Sequence, residues 1–379
     1  MASLAQYLDL IRPFLPEDLV SAQAYRDIHR IAEGIPGALA FSAHGFECRL
    51  GVPEASADLL FSLQTDNSGP DILAGKLLDS DFAASLVEAP GWTSIRDFGR
   101  LWTDPPSALL NRIDDVWLEL DVHDSPDGPL PSLFFCPLRR GESVVSIGLD
   151  EVSTLLEDVY ARTTGYRASP VMIRRCRSCL AALPRMRSLF QVGIMLNRPG
   201  ENGLRCCVSL PSPQASMDYL ARVGWPGDRS VLGAMMHRLA SWFGPLALHL
   251  QVSDELSPKI GIECGFAHRR APDREPRWHG FLDLLVDQGL CLAKKRDALL
   301  AFPGYAPTDP GRCPVPLQRL ATRLELLYRS FFVRSIYHVK LVLDAGGGWQ
   351  AKVYLGINHI WKGLDGHCEK GRGRWGLIE

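Results

Sequence analysis

One feature constrains this chain more than any other: stretches of helical apolar spacing alternate, five times, with pairs of short runs in which apolar and polar residues take turns. A period of two sends successive side chains to opposite faces of a strand, and two such runs joined by turn residues form a hairpin. Helices interleaved with hairpins imply an α+β protein with helices on an antiparallel sheet. The pairs are Phe46 to Leu50 with Asp58 to Gln64, Val116 to Val122 with Ser132 to Cys136, Phe190 to Leu196 with Leu204 to Leu210, Leu246 to Val252 with Lys259 to Phe266, and Tyr337 to Leu343 with Trp349 to Leu355. Their connectors carry turn chemistry: Gly51-Val52-Pro53, Ser125-Pro126-Asp127-Gly128, Asn197-Arg198-Pro199-Gly200, Ser257-Pro258 and Ala345-Gly346-Gly347-Gly348. Helices are expected before each pair, over Pro16 to Glu33, Trp92 to Ile113 with a break at Pro105-Pro106, Pro170 to Leu183, Arg229 to Phe243 and Pro316 to Val333.

Ten antiparallel strands twist too strongly to stay open comfortably, so closure into a barrel with helices outside is expected. In Val116 to Val122 the apolar set Val116, Leu118, Leu120 and Val122 should meet the helices, leaving Trp117, Glu119 and Asp121 on the other face. By the same alternation Glu47, Arg49, Gln191, Arg205, Ser209, His249, Gln251, Lys259, Glu263, His338, Lys340, Gln350, Lys352 and Tyr354 face a lumen. The alternative is an open sheet with this face in water; the Trp, His, Cys and Gly along it argue for enclosure.

Composition sets the outer limits. With 379 residues, 46% hydrophobic and 22% charged, the chain has ample material for a large core. The 41 basic and 43 acidic residues are dispersed and leave a net charge of −2, which excludes a nucleic-acid footprint. No apolar run is long enough to span a bilayer, and residues 1–16 lack the pattern of a secretory signal, so a cytoplasmic protein without a membrane span is expected. Ten cysteines, several inside apolar runs, fit free thiols; Cys176-x-x-Cys179 lacks a partner pair for a metal or redox site. A single barrel domain over 1–360 and a flexible, Gly-rich basic tail over 361–379 complete the expected organisation.

Helix-and-hairpin units, five in number, with inward basic residues resemble the ABBA-type barrel of aromatic and ribosomal-peptide prenyltransferases. Three local patterns are similar to that family. Gly45-Phe46-Glu47-Cys48-Arg49 resembles its Pro-x-Glu-x-Ser strand without the proline and serine, Ala351-Lys352-Val353-Tyr354-Leu355 resembles a Lys-x-Tyr strand, and Pro258-Lys259-Ile260-Gly261-Ile262 resembles another with glycine in place of the aromatic. The strand Ser132 to Cys136 has no Lys-x-Tyr, and Asp58 to Gln64 has no arginine.

The resemblance implies transfer of a dimethylallyl or longer prenyl group from its diphosphate to an aromatic or nitrogen nucleophile, such as a Trp indole or Arg guanidine of a peptide, or a small aromatic molecule. It implies no required cofactor, with Mg2+ at most stimulatory and no metal site. Ionising an allylic diphosphate creates a multiply charged leaving group beside a carbocation; lysine and arginine stabilise the first and aromatic faces the second. Glu47 is then the proton acceptor. Arg49, Arg205, Lys259, Lys340 and Lys352 hold the diphosphate, with Tyr354 as cation shield. Trp117, Glu119, Asp121, His249 and Glu263 form the acceptor side, whose carboxylates suit a cationic acceptor. A non-catalytic barrel that binds a peptide or metabolite is the alternative. A hydrolase or lyase using Glu119 and Asp121 as acid and base is a third reading.

Overall fold

The computed structural model describes residues 2–65, 68–77, 82–88, 91–104, 112–122, 130–138, 142–184, 189–196, 198, 202–266, 275–308, 314, 328–363 and 368–369. Its centre is a closed antiparallel barrel of ten strands with helices, within one twelve-stranded sheet. In chain order the strands are β1 (His44–Arg49), β2 (Ala57–Gln64), β3 (Asp115–Leu120), β4 (Ser132–Phe135), β5 (Leu189–Ile194), β6 (Leu204–Leu210), β7 (Leu246–Val252), β8 (Leu256–Cys264), β9 (Gly304–Pro307), β10 (Tyr328–Leu343), β11 (Trp349–Gly363) and β12 (Cys368–Glu369). Sequential strands β1 to β8 pair as neighbours, β10 joins β8, β11 joins β10, and β11 closes the ring on β1 through Glu47 opposite Tyr354 and Arg49 opposite Lys352. β9 and β12 lie outside the ring, on the extended ends of β10 and β11.

Alternation divides the side chains as expected. Val116, Leu118, Leu120 and Val122 join the large apolar core shared with the helices, where Phe98 and Trp102 of the helix Trp92–Trp102 pack and Phe98 meets Phe135 at 6.1 Å. A second, smaller cluster lies within the ring: Ala43, Leu60, Trp117, Phe134, Met195, Cys207, Tyr337 and Tyr354. Two glycines are set by crowding at the closing seam, Gly45 by the Leu355 backbone carbonyl and Gly356 by the inner layer. Gly45 and Gly356 face each other across β1 and β11, and a Cβ on Gly356 would fall 1.9 Å from the Tyr337 ring.

Several boundaries differ from expectation, each for a local reason. The first helix begins at Ala22 rather than Pro16, because the Ser21 hydroxyl accepts from Ala24 N at 3.1 Å and caps it there; Pro16 opens a separate turn. Ser257-Pro258 lies inside β8, opposite an irregularity in the β7–β8 register where Pro258 has no ladder donor to lose, and the turn falls at Ser253 to Glu255. Tyr328 to Val333, expected as a helix end, is strand in β10, aligned with β9 and β11; Pro316 to Leu327 lie outside the described residues. Trp361 to Gly363 and Cys368 to Glu369, placed in the expected tail, belong to β11 and β12, while 364–367 and 370–379 lie outside the description. The break at Pro105-Pro106 also falls outside it, and the helix before it ends at Trp102. Further helices at Leu4–Ile11, Leu149–Thr164, Pro213–Arg222, Arg277–Asp287 and Ala293–Ala301 occupy segments to which no expectation was attached.

The last of these fixes the β1–β2 turn. Lys295 is fully buried and its ammonium donates to the carbonyls of Arg49 at 2.6 Å and Glu54 at 2.7 Å, so a helix charge is satisfied by turn backbone. No described helix is long and apolar enough to cross a membrane.

The inner-layer crowding is testable. Gly356→Ala should destabilise the fold by about 1–3 kcal/mol in urea melts, because the added methyl meets the Tyr337 ring. Combining it with Tyr337→Ala should return part of that loss, whereas strictly additive losses would refute the contact as the cause.

Candidate functional site

The lumen wall is built by alternation on neighbouring strands, so cross-strand register decides which polar side chains meet. One group forms where the ring closes. Glu47 on β1 accepts short hydrogen bonds from the Lys352 ammonium and the Tyr354 hydroxyl of β11. Beyond β3, Asp121 binds Arg198 through two hydrogen bonds of 2.9 Å, a fork-to-fork pair. Glu119, opposite Leu60 and two residues before Asp121, is on the same face of β3 as Trp117.

A second group forms across β6, β7, β8 and β10. Cys207 stands opposite His249, His249 opposite Gly261, and Glu263 opposite Lys340. His249 Nε2 lies 2.6 Å from Glu263 Oε1, and its Nδ1 lies 3.0 Å from Lys340 Nζ and 3.3 Å from Cys207 Sγ. The missing side chain at Gly261 permits this, since a Cβ there would be 2.9 Å from Lys340 and 3.2 Å from His249. Arg205 reaches Gln251 at 3.3 Å. Tyr354 joins the two groups: the His338 ring stacks on it at 4.3 Å and Lys340 Nζ sits 5.9 Å from its centroid.

Burial and charge together set the protonation states. Burial pushes the Glu47 carboxyl up, but the Lys352 and Arg198 charges and the two hydrogen bonds outweigh it and hold Glu47 below the usual carboxylate range. Glu119 is pushed the other way: burial and the Glu47 charge outweigh the Lys340 and Arg198 charges and raise it to about 7. Glu263 is held low against its own burial by His338, His249 and Lys340. His249 is lowered to about 4 by burial and by Lys340, so it is neutral near pH 7; Lys340 is itself lowered by burial and by Arg205.

Of the expected site residues, the structure gathers Glu47, Glu119, Asp121, His249, Glu263, Lys340, Lys352 and Tyr354 into these groups, with Arg205 and Trp117 buried on the same wall. Arg49 and Lys259 are exposed toward the hairpin-turn end. Two members were not anticipated. Arg198 sits in a segment legible only as a turn, and Cys207 reads as one more apolar residue although it stands two positions from Arg205 on the same strand face. Tyr337 enters the lumen beside His338 because the β10–β11 register shifts between Ile336 and His338. Cys176 and Cys179 are free and buried on the helix side, Cys176 Sγ lying 3.9 Å from Cys206 Sγ. Among the described residues no cluster of three His, Cys, Asp or Glu side chains is arranged to hold a metal.

Glu119 yields a pH prediction. Its folded value of about 7 exceeds the unfolded 4.5, so its contribution is most favourable below pH 4.5 and is lost as pH rises toward 7. Glu119→Gln should therefore gain about 1–2 kcal/mol over wild type at pH 8 in denaturant melts, and the gain should shrink toward pH 5. An equal difference at both pH values would place the Glu119 titration elsewhere. No known protein-family model matches the chain, and no curated protein matches it in sequence.

Proposed function

We propose that the lumen transfers a prenyl group, dimethylallyl or longer, from its diphosphate to an aromatic or nitrogen nucleophile of a peptide or small aromatic molecule. The observation that carries this reading is the ring-closure group: a cation and a phenol on one strand of a closed barrel, beside carboxylates held in different protonation states. Lys352, Lys340 and Arg205, with Arg49 and Lys259 toward the turn end, supply charge for the departing pyrophosphate as the allylic C–O bond breaks. Tyr354, His338 and Trp117 present ring faces to the carbocation. The acceptor then bonds to the allylic carbon and releases a proton.

Glu47 and Glu119 divide the carboxylate roles in this scheme. Glu47 is held ionised by Lys352 and Tyr354 and is a weak base; it orients those two side chains. Glu119, poised near neutrality, is the better proton acceptor, a contribution of roughly 10²–10⁴-fold. A second reading is a binding barrel without turnover. It is favoured by the pairing of lumen cations with carboxylates, Lys352 with Glu47 and Arg198 with Asp121, which reduces the charge left for a diphosphate.

Incubation with a panel of prenyl diphosphates and with Trp- or Arg-containing peptides and small aromatics, followed by mass spectrometry, should show the added prenyl mass. Lys352→Ala should weaken binding of a prenyl thiodiphosphate about 10–100-fold, the loss expected for one charge-assisted contact. Glu119→Gln should keep that affinity while turnover falls at least about 10²-fold. Binding without turnover across the panel selects the second reading, and no binding of any donor rejects the first.

A further inference from the structure

The second lumen group contains a thiol–imidazole–carboxylate chain to which the proposed prenyl transfer gives no chemical step. Cys207 Sγ, His249 Nδ1, His249 Nε2 and Glu263 Oε1 form a continuous chain with steps of 3.3 Å and 2.6 Å, from directly opposed residues of β6 and β7 to β8. A nucleophile within reach of a base, itself oriented by a third group, is the arrangement that activates a side chain for covalent chemistry. The tautomer follows from the partners: Nε2–H donates to the ionised Glu263 carboxylate, leaving the Nδ1 lone pair shared between the Cys207 thiol and the Lys340 ammonium. Burial keeps the Cys207 group a thiol at rest, so attack requires a base that removes its proton in the same step, and His249 stands there.

We propose that Cys207, His249 and Glu263 act as a nucleophile, base and orienting carboxylate that accept an acyl group from an activated ester or thioester. Sγ bonds to the carbonyl carbon as its proton passes to Nδ1. The tetrahedral oxyanion collapses, the bond to the leaving oxygen or sulfur breaks, and the leaving group takes the proton back from Nδ1. Water then attacks the thioester by the reverse use of His249, releasing the acid and the free thiol. Lys340 shares Nδ1 at rest; once Nδ1 is protonated the ammonium is repelled from it and is free to meet the oxyanion. Cys207 is fully buried, so the acyl group must enter through the lumen and be small or slender.

The test uses p-nitrophenyl acetate and the whole protein. Stopped-flow absorbance should show a near-stoichiometric burst of p-nitrophenolate, and fragmentation of acid-quenched peptides should place the acetyl group on Cys207 rather than Cys206. The burst should vanish in Cys207→Ala and slow at least about 10²-fold in His249→Gln, with melting curves checking that each variant folds. If either variant fails to fold, the site of acetylation in the native protein decides. Acetyl spread over several cysteines, or a burst rate unchanged in folded His249→Gln, overturns the proposal. None of these readouts depends on whether prenyl transfer occurs.

Discussion

The pairing of β1 with β11 is the constraint on which the rest of this structure depends. Ten antiparallel strands leave two rows of unsatisfied backbone donors and acceptors unless the first meets the last. Here residues 44–49 lie against 352–357, and the ring has no free edge within its ten strands. Once it closes, each strand has an inside and an outside, and the alternation of side chains becomes a division between a helix-covered core and a polar interior. The closing seam also carries Glu47, Lys352 and Tyr354, so the contacts that seal the barrel double as one half of the candidate site.

A polar interior of this kind is stable only if its charges are answered. An unpaired ion in a dry lumen would cost several kcal/mol, and the structure meets that demand in two ways. Some groups are paired, as Arg198 with Asp121 and Glu47 with Lys352; others shift toward neutrality, as His249 and Glu119 do. The second way has chemical consequences, because a carboxyl raised to about 7, as at Glu119, can take or give a proton near neutral pH without a large penalty, while His249, lowered to about 4, rests as a neutral acceptor. The lumen thus holds fixed charges at the seam and proton-exchanging groups beside them.

Much of this was legible in the chain because a period of two leaves a strong trace. Val116 to Val122 declared both faces of β3, and Glu47, His249, Lys340 and Lys352 could be assigned inward without coordinates. What alternation does not carry is irregular backbone and remote contact. Arg198 follows a strand rather than lying in one, Tyr337 turns inward only through a register shift, and Pro258 suggested a turn where the chain makes a bulge. Tyr328 to Val333 reads equally well as a helix end until β9 and β11 flank it. Cys207 was hidden by its type, since a thiol among apolar residues looks like core until a histidine is found across from it.

The distance along the chain between β1 and β11 also governs how such a barrel can assemble. Hairpins such as β7–β8 unite neighbouring segments and can form early, whereas the β1–β11 ladder requires almost the whole chain to be present before its first hydrogen bond is made. Loop-closure entropy falls on that single step, which makes the seam that completes the lumen the most non-local contact of the ring.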